Sequence, residues 1–174
     1  MIAIREAAEG DQEPDQEAIW EILEPVIRAG EAYALPVGMA REDALAFWFT
    51  PGKTVFVAEE VWQEGPRAGT RSVVGTYFIC ANQKGGGSHV ANCGYATAAW
   101  ALGRGIAGVM CEHSLEWAKA ARFRAMQFNF VVSTNLAAVH LWRKHGFAEV
   151  GRLPGAFLHP TAGYVDALVM WREL

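Results

Sequence analysis

Apolar positions along the chain change period several times, and each change predicts an element. Met1 to Arg5 alternates weakly with β-branched residues, as a short strand does. From Asp11 to Ala29, the residues Ile19, Ile22, Leu23, Val26 and Ile27 recur at helical spacing, so a helix is expected, kinked or split by Pro25. Residues 31–36 read as a loop or a second short helix, and Glu42 to Phe49 as a helix closed by Pro51-Gly52. Thr54 to Val61 is a strand with Val55, Val57 and Val61 on one face; Gln63 to Arg71 is a hairpin loop rich in Gly, Pro and charge. Ser72 to Ala81 and His89 to Thr97 are strands around a Gly-rich turn at residues 84–88. Beyond them come a long helix from Ile106 to Ala121, a strand from Ala125 to Val132, and a helix from Asn135 to His145 ended by Gly146. Phe147 to Arg152 and Val165 to Trp171 complete the strands.

This order is an antiparallel meander followed by β-α-β-α-β-β. It predicts an α/β (α+β) fold, a mixed and mostly antiparallel sheet with helices on both faces, spanning 1–174 as one domain. With 174 residues, two independent cores would be cramped. Hydrophobic residues make up 52% and charged residues 20%, which excludes disorder as the dominant state. The net charge of −4 argues against a broad basic face for nucleic acid or an anionic membrane. No apolar run approaches the roughly 20 residues of a membrane span, and Met1 to Glu9 has no basic stretch leading into an apolar block. The three cysteines, Cys80, Cys93 and Cys111, form neither an even set nor a CxxC pair. Neither a disulfide framework nor a metal site is expected, and a reduced, cytoplasmic setting is.

The chemistry concentrates in two stretches. In the first, the strand ending Asn92-Cys93-Gly94-Tyr95-Ala96-Thr97 leads to Leu102-Gly103-Arg104-Gly105-Ile106-Ala107-Gly108, a Gly-rich turn opening a helix. Glycines let backbone approach a ligand, and the first free N–H groups of a helix point at an anion. Arg104 adds a donor suited to a phosphate oxygen, so the stretch reads as a phosphate or pyrophosphate cradle. Gly103, Gly105 and Gly108 fit Gly-x-Gly-x-x-Gly by count. A nicotinamide-binding fold, however, wants that turn in its first βαβ unit and an acid about 20 residues on. Here the turn is late and the next strand offers no acid. A plain tight turn is the bland alternative. The second stretch runs from Ser133 to Phe147, where Asn135 suits an N-cap and Ala138, Leu141 and Trp142 share one helical face.

Together these stretches resemble the Gcn5-related N-acetyltransferase (GNAT) superfamily. Its acetyl-CoA loop, Arg/Gln-x-x-Gly-x-Gly/Ala, is matched at Gly105 and Ala107, with Leu102 in place of Arg or Gln. Its later Asn-x-x-Ala-x-x-Leu-Tyr-x-x-x-Gly-Phe is matched at Asn135, Ala138, Leu141, Gly146 and Phe147, with Trp142 in place of Tyr. The resemblance covers nearly the whole chain. Residues 87–92, 126–135 and 153–157 are similar to a subgroup that includes fungal L-azetidine-2-carboxylate N-acetyltransferases, which acetylate the imino nitrogen of proline analogues. In that subgroup, positions matching Asn92 and Asn129 hold the substrate and the one matching Asn135 contacts CoA.

The resemblance implies direct acetyl transfer from acetyl-CoA to the amine of a small molecule, of amino- or imino-acid type. It implies that backbone at Tyr95, Ala96 and Thr97 pairs with pantetheine, and that an N–H near Ala96 polarises the thioester. It implies further that the amides from Gly103 to Gly108, flanked by Leu102 and Arg104, hold the pyrophosphate. On the later helix of the second stretch, the resemblance implies that Asn135, Ala138 and Trp142 complete the cofactor side. The family often uses a Glu on this strand as base, and residues 89–97 contain no carboxylate. Water held by Asn92 and Asn129 is the first candidate, Glu31 the second and His89 a third. Trp142 cannot serve as an acid, since an indole N–H only donates. Cys93 beside Asn92 offers a minor acetyl-cysteine route. Within the transferase class, a detoxifying enzyme and a protein N-terminal acetyltransferase remain alternatives. Outside it stands a CoA-binding sensor of the same fold with little catalysis. Dimers are frequent in the family, which leaves a homodimer open.

Overall fold

The computed structural model describes residues 1–7, 13–62 and 69–174. Its elements in chain order are β1 (Ile2–Glu6), α1 (Glu13–Ala29), α2 (Arg41–Trp48), β2 (Thr54–Val61), β3 (Arg71–Ala81), β4 (Val90–Thr97), α3 (Ile106–Ala120), β5 (Ala125–Val132), α4 (Leu136–Lys144), β6 (Ala148–His159) and β7 (Gly163–Glu173). The expected start of the first helix at Asp11 and most of the loop from Gln63 lie outside the described residues.

Among the described residues seven strands form one sheet in the order β1-β2-β3-β4-β5-β7-β6, and only the β4–β5 pairing is parallel. The mixed, mostly antiparallel sheet expected from the sequence is therefore observed. Alternation along β3 sends its side chains to two helical layers. Thr76 and Phe78 meet Trp48 of α2, while Tyr77 meets His113 of α3. Helices α1 and α2 cover one face; α3 and α4 cover the other. The core is buried on both sides of β2 and β3, with Val57, Ala58, Val74 and Tyr77 fully enclosed. Trp48 is also buried, and its indole N–H donates to Thr76 Oγ1 at 3.1 Å, so its one polar atom is satisfied.

Two elements depart from expectation. Pro25 neither splits nor ends α1, which runs through it for 17 residues. Pro25 lies on the exposed face, where a carbonyl it leaves unpaired meets water. The last two strands are longer than their apolar runs suggested. β6 continues through Pro154 and Gly155 because it is the edge strand, where a missing N–H costs the ladder nothing, and it shifts register between Leu153 and Phe157.

Candidate functional site

The site begins where β4 and β5 part. They are paired only at Val90–Ala125 and Ala91–Met126. Beyond that point β5 remains paired only with β7, and β4 only with β3. An aromatic wedge holds the strands apart on the α3–α4 face. Trp142 of α4 lies 5.0 Å from the Tyr95 ring of β4 and 4.8 Å from the Phe128 ring of β5. Tyr95 is anchored below by a 2.7 Å hydrogen bond between its hydroxyl and that of Ser114.

Strand alternation fixes which backbone groups of β4 face the gap. Val90 accepts from Asn82 N–H and Ala98 donates to Val74, both across to β3. The even-numbered residues between them therefore also point their N–H and C=O at β3. Those of Cys93, Tyr95 and Thr97 point into the gap. This corrects part of the expectation. Tyr95 and Thr97 present free edge groups, whereas the N–H of Ala96 is spent on the ladder opposite Thr76. One open-edge acceptor is already engaged, because the Tyr33 hydroxyl donates to the Tyr95 carbonyl at 2.8 Å.

At the far end of β4 the chain makes an exposed turn into α3. Gly103 and Gly105 both adopt left-handed backbone, with φ of 75° and 78°, and open space lies where a Cβ would sit. Leu102 is 65% exposed beside them. Gly105 is the N-cap, and no side chain caps α3. The amides of Gly103, Arg104, Gly105, Ile106 and Ala107 have no acceptor among the described residues. Gly108 differs from expectation: its N–H bonds to Gly105 O at 3.0 Å. Arg104 also differs, because its guanidinium pairs with Glu60 at the end of β2. Asn135 caps α4 as expected, its Oδ1 accepting from Ala138 N–H at 3.2 Å.

On the α1–α2 face, four carboxamides gather at the vertex of the gap. Asn92 Nδ2 donates to the Gln127 carbonyl at 2.9 Å, bridging β4 to β5 just past their last paired residues. Gln127 Nε2 donates to Asn129 Oδ1 at 2.8 Å, and Asn129 Nδ2 to Asn82 Oδ1 at 2.6 Å. Asn92 and Asn129 are thus brought together, and Asn82 and Gln127, which sequence reasoning missed, orient them. Tyr33 closes this region from above. Phe78 and Tyr33 pack so tightly on Gly94 that an added Cβ would stand 2.5 Å from the Phe78 ring. Burial pushes the Tyr33 phenol well above the ordinary tyrosine range, so it stays a donor.

Other expected residues take different places. Glu31 is exposed at the start of the α1–α2 connection, and Tyr33, two residues on, is what reaches β4. His89 sits at the closed end of the gap, its carbonyl bonded to Arg124 N–H. Trp142 is 8% exposed and acts as the wedge. Burial pushes the Cys93 thiol up, which disfavours a nucleophilic thiolate. Among the described residues no cluster of three His, Cys, Asp or Glu could hold a metal ion, and no helix is long and apolar enough to cross a membrane.

The sheet thus parts between two central strands, with an exposed glycine turn at the mouth of the gap. Residues 17–147 match the acetyltransferase (GNAT) family, and the chain belongs to it. A solved GCN5-related N-acetyltransferase from Kribbella flavida is 38% identical, with 99% of this chain and 98% of that chain covered and a TM-score of 0.87. N-acetyltransferase aca1 of Schizosaccharomyces pombe is 28% identical over 151 residues, 82% of this chain and 72% of the relative. A GNAT superfamily phosphinothricin acetyltransferase from Sinorhizobium meliloti, solved in complex with AcCoA, shares the fold at 18% identity, with coverage of 99% and 88% and a TM-score of 0.80.

Proposed function

We propose that the protein is an N-acetyltransferase that moves the acetyl group of acetyl-CoA to the amine of a small amino or imino acid, with proline analogues as the first acceptors to try. The observation that carries this reading is the open edge of β4. Its Tyr95 N–H and the Thr97 groups, left unpaired by β3, run toward an exposed turn whose amides lack partners among the described residues. An extended pantetheine arm pairs with that edge as an added strand, and the pyrophosphate meets the amides from Gly103 to Ala107 at the start of α3. The N–H of Tyr95, rather than that of Ala96, faces the thioester oxygen and stabilises the oxyanion.

In the reaction the neutral amine attacks the thioester carbon, the C–N bond forms and the C–S bond breaks. The sulfur leaves as thiolate, which needs little help given a thiol reference pKa of about 8.5. The amine proton leaves through water held by the carboxamides of Asn92 and Asn129, because β4 carries no carboxylate. Positioning supplies much of the rate. The relatives named as N-acetyltransferases support the reaction type. The local likeness of residues 87–92, 126–135 and 153–157 to azetidine-2-carboxylate acetylating enzymes supports the acceptor class.

Trp142 in place of the family's tyrosine favours a second reading, a CoA sensor with little turnover. Free thiol release from acetyl-CoA separates the two when followed with a panel of amines that includes L-azetidine-2-carboxylate and L-proline. Amine-dependent release is expected. CoA binding without release on any amine supports the sensor, and absence of CoA binding removes both readings.

A further inference from the structure

Lys53, the residue just before β2, is a cation with no anionic partner among the described residues. Around it the positive charges of the α1–α2 side are matched: Arg5 with Asp15 and Glu59, Arg28 with Glu24, Arg41 with Glu17. Lys53 is half-buried and has no carboxylate partner among the described residues. Its ammonium lies 3.9 Å from the ring centres of both Phe47 and Phe78 and donates to the Phe47 carbonyl at 2.5 Å. An ammonium has three donors. The carbonyl takes one, and the two ring faces offset only part of the lost hydration.

Its position is also specific. Thr54 pairs with Ile79 and Cys80 with Asn92, so Lys53, Cys80 and Asn92 stand in one row across three strands. All three use the α1–α2 face, where the carboxamides converge. One phenyl ring, that of Phe78, separates the ammonium from Gly94 beside the open edge of β4.

We propose that Lys53 recognises the acceptor by its anionic group: the substrate is an amine that carries a carboxylate, and the Lys53 ammonium takes that carboxylate. This rests on the acetyltransferase reading and deepens it. The aromatic cradle holds the ammonium in place before the substrate arrives, so little ordering cost remains at binding. Polycationic acceptors are disfavoured at this site, since they would meet an unneutralised positive charge. Without this role, Lys53 would serve only to tie the C-terminal end of α2 to β2.

The test compares kcat/KM for amino and imino acids with kcat/KM for their carboxamides, using L-azetidine-2-carboxylate, L-proline and longer amino acids. Wild-type protein is expected to prefer acid over amide by about tenfold or more, the size of one charge-assisted hydrogen bond. In Lys53→Met, which keeps the stem between the rings, the acid:amide ratio is expected to fall about tenfold. Lys53→Arg, which keeps the charge, should hold a ratio above that of Lys53→Met. Equal use of acids and amides by the wild type overturns the inference without needing a folded variant, and leaves the acetyltransferase reading standing. A ratio that survives in Lys53→Met overturns it too. Thiol release that no acid or amide increases would instead sink the parent reading.

Discussion

At the gap-facing edge of β4 the free groups are backbone: the Tyr95 N–H and the edge groups of Thr97, then amides of a turn made by Gly103 and Gly105. On the α1–α2 face of the sheet they are side chains: Asn82, Asn92, Gln127 and Asn129 joined by hydrogen bonds, with the Tyr33 hydroxyl on the Tyr95 carbonyl nearby. Backbone reads a ligand common to a whole family, because any sequence that keeps the strand and the φ values supplies it. Side chains can be exchanged one at a time, so under the proposed function substitutions on that face should alter acceptor choice while leaving cofactor binding in place. Trp142 serves both sides, since it keeps the gap open.

Removing that shared element should have the largest effect. Trp142→Ala deletes a buried aromatic from between Tyr95 and Phe128 and is expected to cost about 3–5 kcal/mol of stability. Thermal or urea unfolding checks it; a loss well below 1 kcal/mol would mean that the wedge does not hold the strands.

The next change sharpens the cofactor side alone. Gly105→Val forces a β-branched residue into left-handed backbone, a strain of about 1–3 kcal/mol, at the N-cap of α3. The Kd for CoA, measured by calorimetry, should rise about tenfold or more, with the acceptor KM much less affected. Asn129→Ala makes the opposite comparison. It removes a carboxamide bonded to Asn82 and Gln127 and should raise the acceptor KM about fivefold, the worth of one hydrogen bond. A matching rise in the acetyl-CoA KM would break the division between the two sides.

The smallest effect is expected from pH. His113 of α3 bonds through Nδ1 to the Tyr77 hydroxyl at 2.6 Å, and burial holds its pKa below the usual 6.5. Below that pH the unfolded chain takes up a proton that the folded chain resists, so stability falls as pH drops through this region and is full above it. Melting temperatures at mildly acidic and neutral pH, with His113→Gln as control, should show the acid loss shrink in the variant.

Most of the local geometry of the β4–α3 turn and of the start of α4 was legible in the sequence. Local rules specify it: glycines where φ is positive, a helix opening without a side-chain cap, an Asn at the start of α4. Three details were not legible. Which of Tyr95, Ala96 and Thr97 face the gap depends on register with β3. Arg104 is drawn to Glu60, 44 residues earlier in the chain. Tyr33, which was not among the sequence candidates, reaches Tyr95 across a separation of 62 residues.

By itself, the amino-acid order determined the elements, their succession and the glycine turn that opens α3, because these follow from periodicity and backbone sterics over a few residues. Tertiary structure decided the gap between β4 and β5, the carboxamide row and the lone ammonium of Lys53. Each of these arises where residues distant along the chain meet across strands, and no local pattern records how far two strands will part or which charges will be left unmatched.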